Sequence, residues 1–168
     1  ARGSVGLVSG YASVGFFLNN IENQIRFRRT SQFTIIFENI GSGRNLGVES
    51  EVRAQISKYF AIFGEVTWTQ TRDNATGNAL PGQPELVAFV RPEVHSGELS
   101  KQVSDLLLFF EVTHLGESFA NPGNLAVIPA RTPMSLGLGA LFFESRLGLG
   151  FRVDDLLDVR GQDLLGFP

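Results

Sequence analysis

The residues able to do chemistry in this chain are few and scattered. The two histidines, His95 and His114, stand far apart in sequence, each alone in its segment. They could share a metal only if neighbouring segments brought the rings together, and otherwise read as ordinary polar groups of a loop or rim. Gly41-Ser42-Gly43, followed by Gly47, lacks the strand–loop–helix setting in which glycines cradle a phosphate, and reads as a plain loop. Asp73-Asn74 with Gly77 has the opening of a calcium loop without its later bidentate glutamate, and reads as a turn. Asn74-Ala75-Thr76 is a glycosylation sequon only in a eukaryotic secretory setting. There is no cysteine, hence no thiolate nucleophile, thiolate metal site or disulfide. No carboxylate pair or Ser/His/Asp order carries a catalytic signature, so no catalytic, cofactor or metal residue is assigned and no enzyme is expected.

What remains is charge at every second position. Arg26, Arg28, Glu49, Glu51, Arg53, Glu65, Arg91, Glu93, Asp105, Glu111 and Arg152 all fall in segments where polar and apolar residues alternate. Such spacing puts the charges on one face only if the segments are strands. Val48, Ser50, Val52, Ala54 and Ile56 alternate with Glu49, Glu51, Arg53 and Gln55. Phe60, Ile62, Val66 and Trp68 alternate in the same way with Glu65, Thr67, Thr69 and Thr71. The pattern recurs over Ile21 to Arg28, Leu86 to His95, Val103 to Leu115 and Leu147 to Val153. Pro92, inside one of these runs, implies a strand edge or a bulge. About seven strands result, with a partial one over Val5 to Tyr11.

Composition sets the outer bounds. At 168 residues one folding unit is expected, and 43% hydrophobic residues exclude a disordered chain. A formal charge of −3 excludes a nucleic-acid binder that works by bulk positive charge. No stretch is long and apolar enough for a spanning helix, and Ala1 to Val8 is no signal peptide. A β-barrel remains open, because it hides its lipid face in alternate positions.

The punctuation is asymmetric. Lys58-Tyr59 and Glu144-Ser145 are tight turns, whereas Asp73 to Gly82 and Gly116 to Thr132 are long and rich in turn residues. Short periplasmic turns against long outer loops are a mark of outer-membrane barrels. In that setting the apolar face meets lipid and the charged residues line the lumen, whereas in a soluble sandwich the apolar face would pack inward. Strands as long as Phe60 to Arg72 and Val103 to Leu115 suffice to cross the hydrocarbon layer.

Four segments carry a family resemblance. Phe37-Glu38-Asn39-Ile40-Gly41 with Arg44-Asn45-Leu46-Gly47-Val48-Glu49-Ser50-Glu51 resembles the Asn-rich "GVE" strand of TonB-dependent outer-membrane receptors. Thr67-Trp68-Thr69-Gln70-Thr71, then Thr76 to Pro84 with Leu80-Pro81-Gly82-Gln83-Pro84, is similar to the next strand and its "LPG-x-P" loop. Leu149 to Asp158 resembles the strand before the "NLxD" turn, and Leu165-Gly166-Phe167-Pro168 the "GYP" before the last strand. Each motif is weak alone, but their shared order and spacing are fairly specific. Asp155 stands where the family commonly has Asn, and the chain stops at Pro168 without the closing strand.

The resemblance implies an all-β fold, an antiparallel transmembrane β-barrel of about 22 strands of which residues 1–168 are a C-terminal segment with no plug domain. It implies the bacterial outer membrane, uptake of a small chelate or nutrient (siderophore-, cobalamin- or sugar-like), and no cofactor. Its implied partners are outer-membrane lipid, the rest of the barrel and its plug, the TonB complex through an N-terminal part, and a small molecule. The wall of charges would then contact the plug. Recognition would fall to Asp73, Asn74, Asn78, Asn121 and Asn124 in the long loops, because loops on a rigid scaffold carry it. Two rivals stand beside this reading: a structural outer-membrane barrel subunit that transports nothing, and a soluble ligand-binding β-sandwich.

Overall fold

The computed structural model describes residues 2–5, 8–23, 25–29, 34–39 and 41–159. They form twelve strands and no helix: β1 (Arg2–Val5), β2 (Val8–Glu22), β3 (Ile25–Arg29), β4 (Ile35–Asn39), β5 (Ser42–Ser57), β6 (Phe60–Asp73), β7 (Leu86–His95), β8 (Val103–Leu115), β9 (Ser118–Phe119), β10 (Val127–Ile128), β11 (Met134–Phe142) and β12 (Leu147–Val153). Eight make one antiparallel sheet in the order β1-β2-β5-β6-β7-β8-β11-β12. The other four are two small hairpins, β3–β4 and β9–β10, carried within connections.

The connections sort by end. Residues 58–59, 96–102 and 143–146 close one end of the sheet, while the connection from β2 to β5 and residues 74–85 and 116–133 lie at the other. Local chemistry explains the tight ones. Ser57 Oγ accepts the backbone N–H of Tyr59 at 3.2 Å and of Phe60 at 3.1 Å, closing the β5–β6 turn. Ser100 Oγ does the same for Gln102 and Val103.

Register carries the alternation across the whole sheet. One row runs Phe16–Val48–Trp68–Leu86, and another Phe60–Val94–Leu108–Leu138–Phe151. Among the described residues nothing covers this apolar face: Phe16 is 82% exposed, Phe151 66% and Trp68 41%. Among the described residues only Leu80 (1%) and Ile128 (6%) are buried hydrophobics, and both lie in long connections. Full burial would stabilise each such side chain by about 1.5–3 kcal/mol, so a sandwich would have used this face as its core. The described strands thus form a single layer and not the two facing layers of a sandwich.

The structure corrects the expected strands in four places. Positions 8–22 are one strand of 15 residues, not a partial strand followed by one over Ile21 to Arg28. Asn23, left-handed at φ 55°, ends β2, and Arg26 and Arg28 fall in the separate β3–β4 hairpin opposite Glu38 and Ile36. Ser42, Gly43 and Gly47 are strand residues of β5, not a loop. Met134–Phe142 is a strand that the reading missed. Pro92 marks neither edge nor bulge: β7 is central, and its pairing with β8 keeps one register from Val90↔Val112 to Glu93↔Phe109. The ladder omits only Arg91 and Pro92, where an N–H is missing.

The strand glycines have a packing role. Gly47 faces Phe17 and Gly137 faces Phe109 across paired strands, and each ring lies over its glycine so closely that a Cβ would collide with it. The aromatic supplies the contact the glycine lacks. Gly137→Ala should therefore displace Phe109 and cost about 1–3 kcal/mol. Gly150→Ala, where a Cβ meets nothing nearer than 3.8 Å, should be near neutral. Urea unfolding of the two variants in lipid vesicles measures the difference.

Candidate functional site: a wall of charges and a block of two loops

The face opposite the apolar one carries Glu49, Glu51, Arg53, Glu65, Arg91, Glu93, Asp105, Glu111 and Arg152, placed there by strand parity. On β7, β8 and β12 they join into a continuous chain of contacts. Asp105 Oδ2 lies 2.7 Å from His95 Nδ1, and His95 Nε2 lies 3.5 Å from Glu93. Arg91 Nε approaches Glu93 at 2.6 Å as an ion pair, and Arg91 Nη1 donates to Glu111 at 3.1 Å. The other oxygen of Glu111 meets Arg152 at 2.7 Å, and Arg152 meets Asp154 at 2.5 Å. Ser135 Oγ donates to Asp154 at 2.8 Å. The chain thus crosses the sheet obliquely from the tight-turn end of β7 to the long-connection end of β12.

Glu111 is its pivot. Only 5% exposed, it stands between two guanidiniums from strands on either side of it. The bridge to Arg152 has to span β11, and it can because β11 presents only Ser135, Gly137 and Gly139 there. Arg91 also stacks on the Phe109 ring at 4.0 Å, with Phe109 flattened over Gly137. Past the end of β12, the hydrogen bond from Arg152 holds the Asp154 carboxyl below its usual range.

The β5–β6 half is arranged differently. Arg53 pairs with Glu51 at 2.5 Å and lies over Phe63 at 4.6 Å from its centroid. Glu51 and Glu65 sit directly opposite one another, an unfavourable like-charge placement, with Ser13 and Gly15 leaving a recess of about 360 Å³ beside them. Tyr11, Arg53, Phe63 and Arg91 follow one another along a single row and line a larger hollow of about 900 Å³.

Arg26 and Arg28 stand on the β3–β4 hairpin, outside the eight-stranded sheet. The histidines are not brought together either. His95 joins the charged chain, while His114 lies in the row of Ala88 and contacts Thr132 Oγ1 at 2.9 Å. Among the described residues no group of His, Cys, Asp or Glu is arranged to hold a metal.

The loop residues are engaged in hydrogen bonds within the chain, most of them to backbone. Asp73 Oδ1 accepts the N–H of Ala75 at 2.7 Å, and Asn74 Nδ2 donates to Ser42 Oγ at 3.0 Å. Asn121 Oδ1 accepts the N–H of Leu125 at 3.0 Å. Asn78 and Asn124 reach across: Asn78 Nδ2 donates to Pro122 O at 2.9 Å, and Asn124 accepts from Ala79 N at 2.8 Å and donates to Ala79 O at 3.0 Å.

Comparison with known proteins decides the family. The model of the "TonB dependent receptor-like, beta-barrel" family matches residues 4–140. The chain belongs to this family of TonB-dependent receptor barrels. That family comprises outer-membrane receptors and transporters, not enzymes. Among solved structures, that of BauA, the ferric preacinetobactin receptor from Acinetobacter baumannii, shares the fold with a TM-score of 0.62 at 16% identity. The superposition covers 91% of this chain and 23% of that receptor, so the chain spans about a quarter of its length. No curated protein matches the chain.

Within this receptor-barrel segment, sequence reading missed Ser135 as a wall residue because it missed β11, and it gave His95 no partner. The parity of Met134–Phe142 was the available signal for Ser135. Leu165 to Pro168 lies outside the described residues. Removing the Glu111 charge tests the pivot: Glu111→Gln should cost about 1–3 kcal/mol, since two guanidiniums lose their shared anion. Glu49→Gln, which among the described residues loses no ion pair, should cost far less, as read from unfolding midpoints in lipid vesicles.

Proposed function

We propose that residues 1–168 are the C-terminal barrel segment of a TonB-dependent receptor that takes up a small chelate or nutrient across the bacterial outer membrane. The apolar face meets lipid, and the charged wall lines the lumen against a plug. The long connections point outward and the tight turns face the periplasm. One observation carries the reading. Large apolar side chains stay exposed across the full width of a single sheet while charges pair on its other face.

Hydrocarbon tolerates no open sheet edge, because each unpaired backbone group costs several kcal/mol there. The outer edges of β1 and β12 are therefore expected to pair with further strands of a barrel of about 22. BauA is a ferric preacinetobactin receptor, which favours a chelate here among siderophore-, cobalamin- and sugar-like cargo. TonB would act through a plug that these residues do not include.

Two measurements test this. Val52→Arg, on the lipid face, should cost about 2–4 kcal/mol in a vesicle folding assay, and Glu49→Arg on the opposite face much less. Equal costs would reverse the face assignment. Cells making the whole receptor should accumulate a ferric siderophore, cobalamin or oligosaccharide only when TonB is present; accumulation of none, or accumulation without TonB, would overturn the transport reading.

A further inference from the structure

The long connections 74–85 and 116–133 are separated in sequence by two full strands, yet they share bonds that surface loops rarely share. Asn124, left-handed at φ 54°, aligns its side-chain amide with the backbone N–H and C=O of Ala79 and makes both hydrogen bonds that a residue of a neighbouring strand would make. Asn78 donates to Pro122 O at 2.9 Å, and Gly82 N donates to Phe119 O at 2.7 Å. Each connection therefore gives donors to the other and takes donors from it.

The same region holds the two buried hydrophobics, one from each connection, Leu80 and Ile128. The block is tied down at its feet. Leu80 N donates to Thr71 Oγ1 of β6 at 2.9 Å, and the Leu80 side chain lies 3.5 Å from where a Cβ on Gly43 of β5 would be. Gly116 N donates to Leu86 O of β7 at 2.7 Å, and Arg131 bridges back to Leu115 of β8 in both directions.

We propose that residues 74–85 and 116–133 form one cooperative body latched by Asn124, so that the two connections open and close together. Loops that opened independently would each expose a buried side chain and strand the other's donors, so partial opening is penalised. A molecule meeting this end of the sheet therefore meets a composite surface, and displacing either connection moves both. The inference does not depend on what the barrel carries.

Hydrogen–deuterium exchange on the detergent-solubilised whole receptor tests it, with folding of each variant confirmed by heat-modifiable gel migration. Asn124→Ala removes both bonds to Ala79 and should speed exchange about tenfold both around residues 79–82 and around residues 118–128. Asn124→Asp, which keeps the acceptor for Ala79 N and loses the donor, should give about threefold in both segments. Asn78→Ala should also accelerate the 118–128 amides, although it lies in the other connection. Acceleration confined to the mutated connection, or none in a folded variant, would overturn the proposal. Should Asn124→Ala not fold, the other two variants decide by the same criterion.

Discussion

A sheet one layer thick can satisfy its apolar side chains in only two ways: beneath a second layer, or in a surrounding medium that is itself apolar. Among the described residues there is no second layer, and rows such as Phe60–Val94–Leu108–Leu138–Phe151 lie open from strand to strand. Every other feature follows from that constraint. Strands of 13 to 16 residues (β2, β5, β6, β8) match a thickness to be crossed more than a core to be filled. Over the middle of the strands charges keep to the other face, Glu22, Arg44 and Arg72 sharing the apolar parity only near the long-connection end, and among the described residues the buried hydrophobics reduce to Leu80 and Ile128 in the long connections.

The charged face meets its own constraint by pairing. A lone guanidinium or carboxylate beside an apolar sheet is costly, and the contacts from Asp105 through His95, Glu93, Arg91 and Glu111 to Arg152 leave few charges unmatched on that half. The half built from β5 and β6 is less balanced, with Glu51 opposite Glu65. Stability and interaction are thus divided along one wall: one half is satisfied internally, and the other keeps acidic groups that a neighbouring surface could answer.

Alternation made the wall legible. Wherever charged or polar residues marked one parity, as in β5, β6, β7 and β8, strand and face could be read together. It failed where glycine and aromatic residues replaced charge. In β2 the sequence Val14-Gly15-Phe16-Phe17-Leu18 blurs a period that the register restores, and in β11 the polar face is written as Ser135, Gly137 and Gly139. Those glycines look like loop punctuation until their partners Phe17 and Phe109 are known. Arg26 and Arg28 show the converse error, since local alternation continues through Asn23 while the backbone turns away. The cross-loop bonds of Asn78 and Asn124 join residues more than forty positions apart, and no local pattern encodes such a pairing.

The glycines of β11 also set how thick the protein is at that point. Where Phe109 lies flat across Gly137 with Arg91 stacked on it, no side chain stands upright from the strand itself. The clearance over β11 is governed by residues rooted in β7 and β8, so the interior profile there can be reshaped by substitutions on strands one and two places away, with β11 itself untouched.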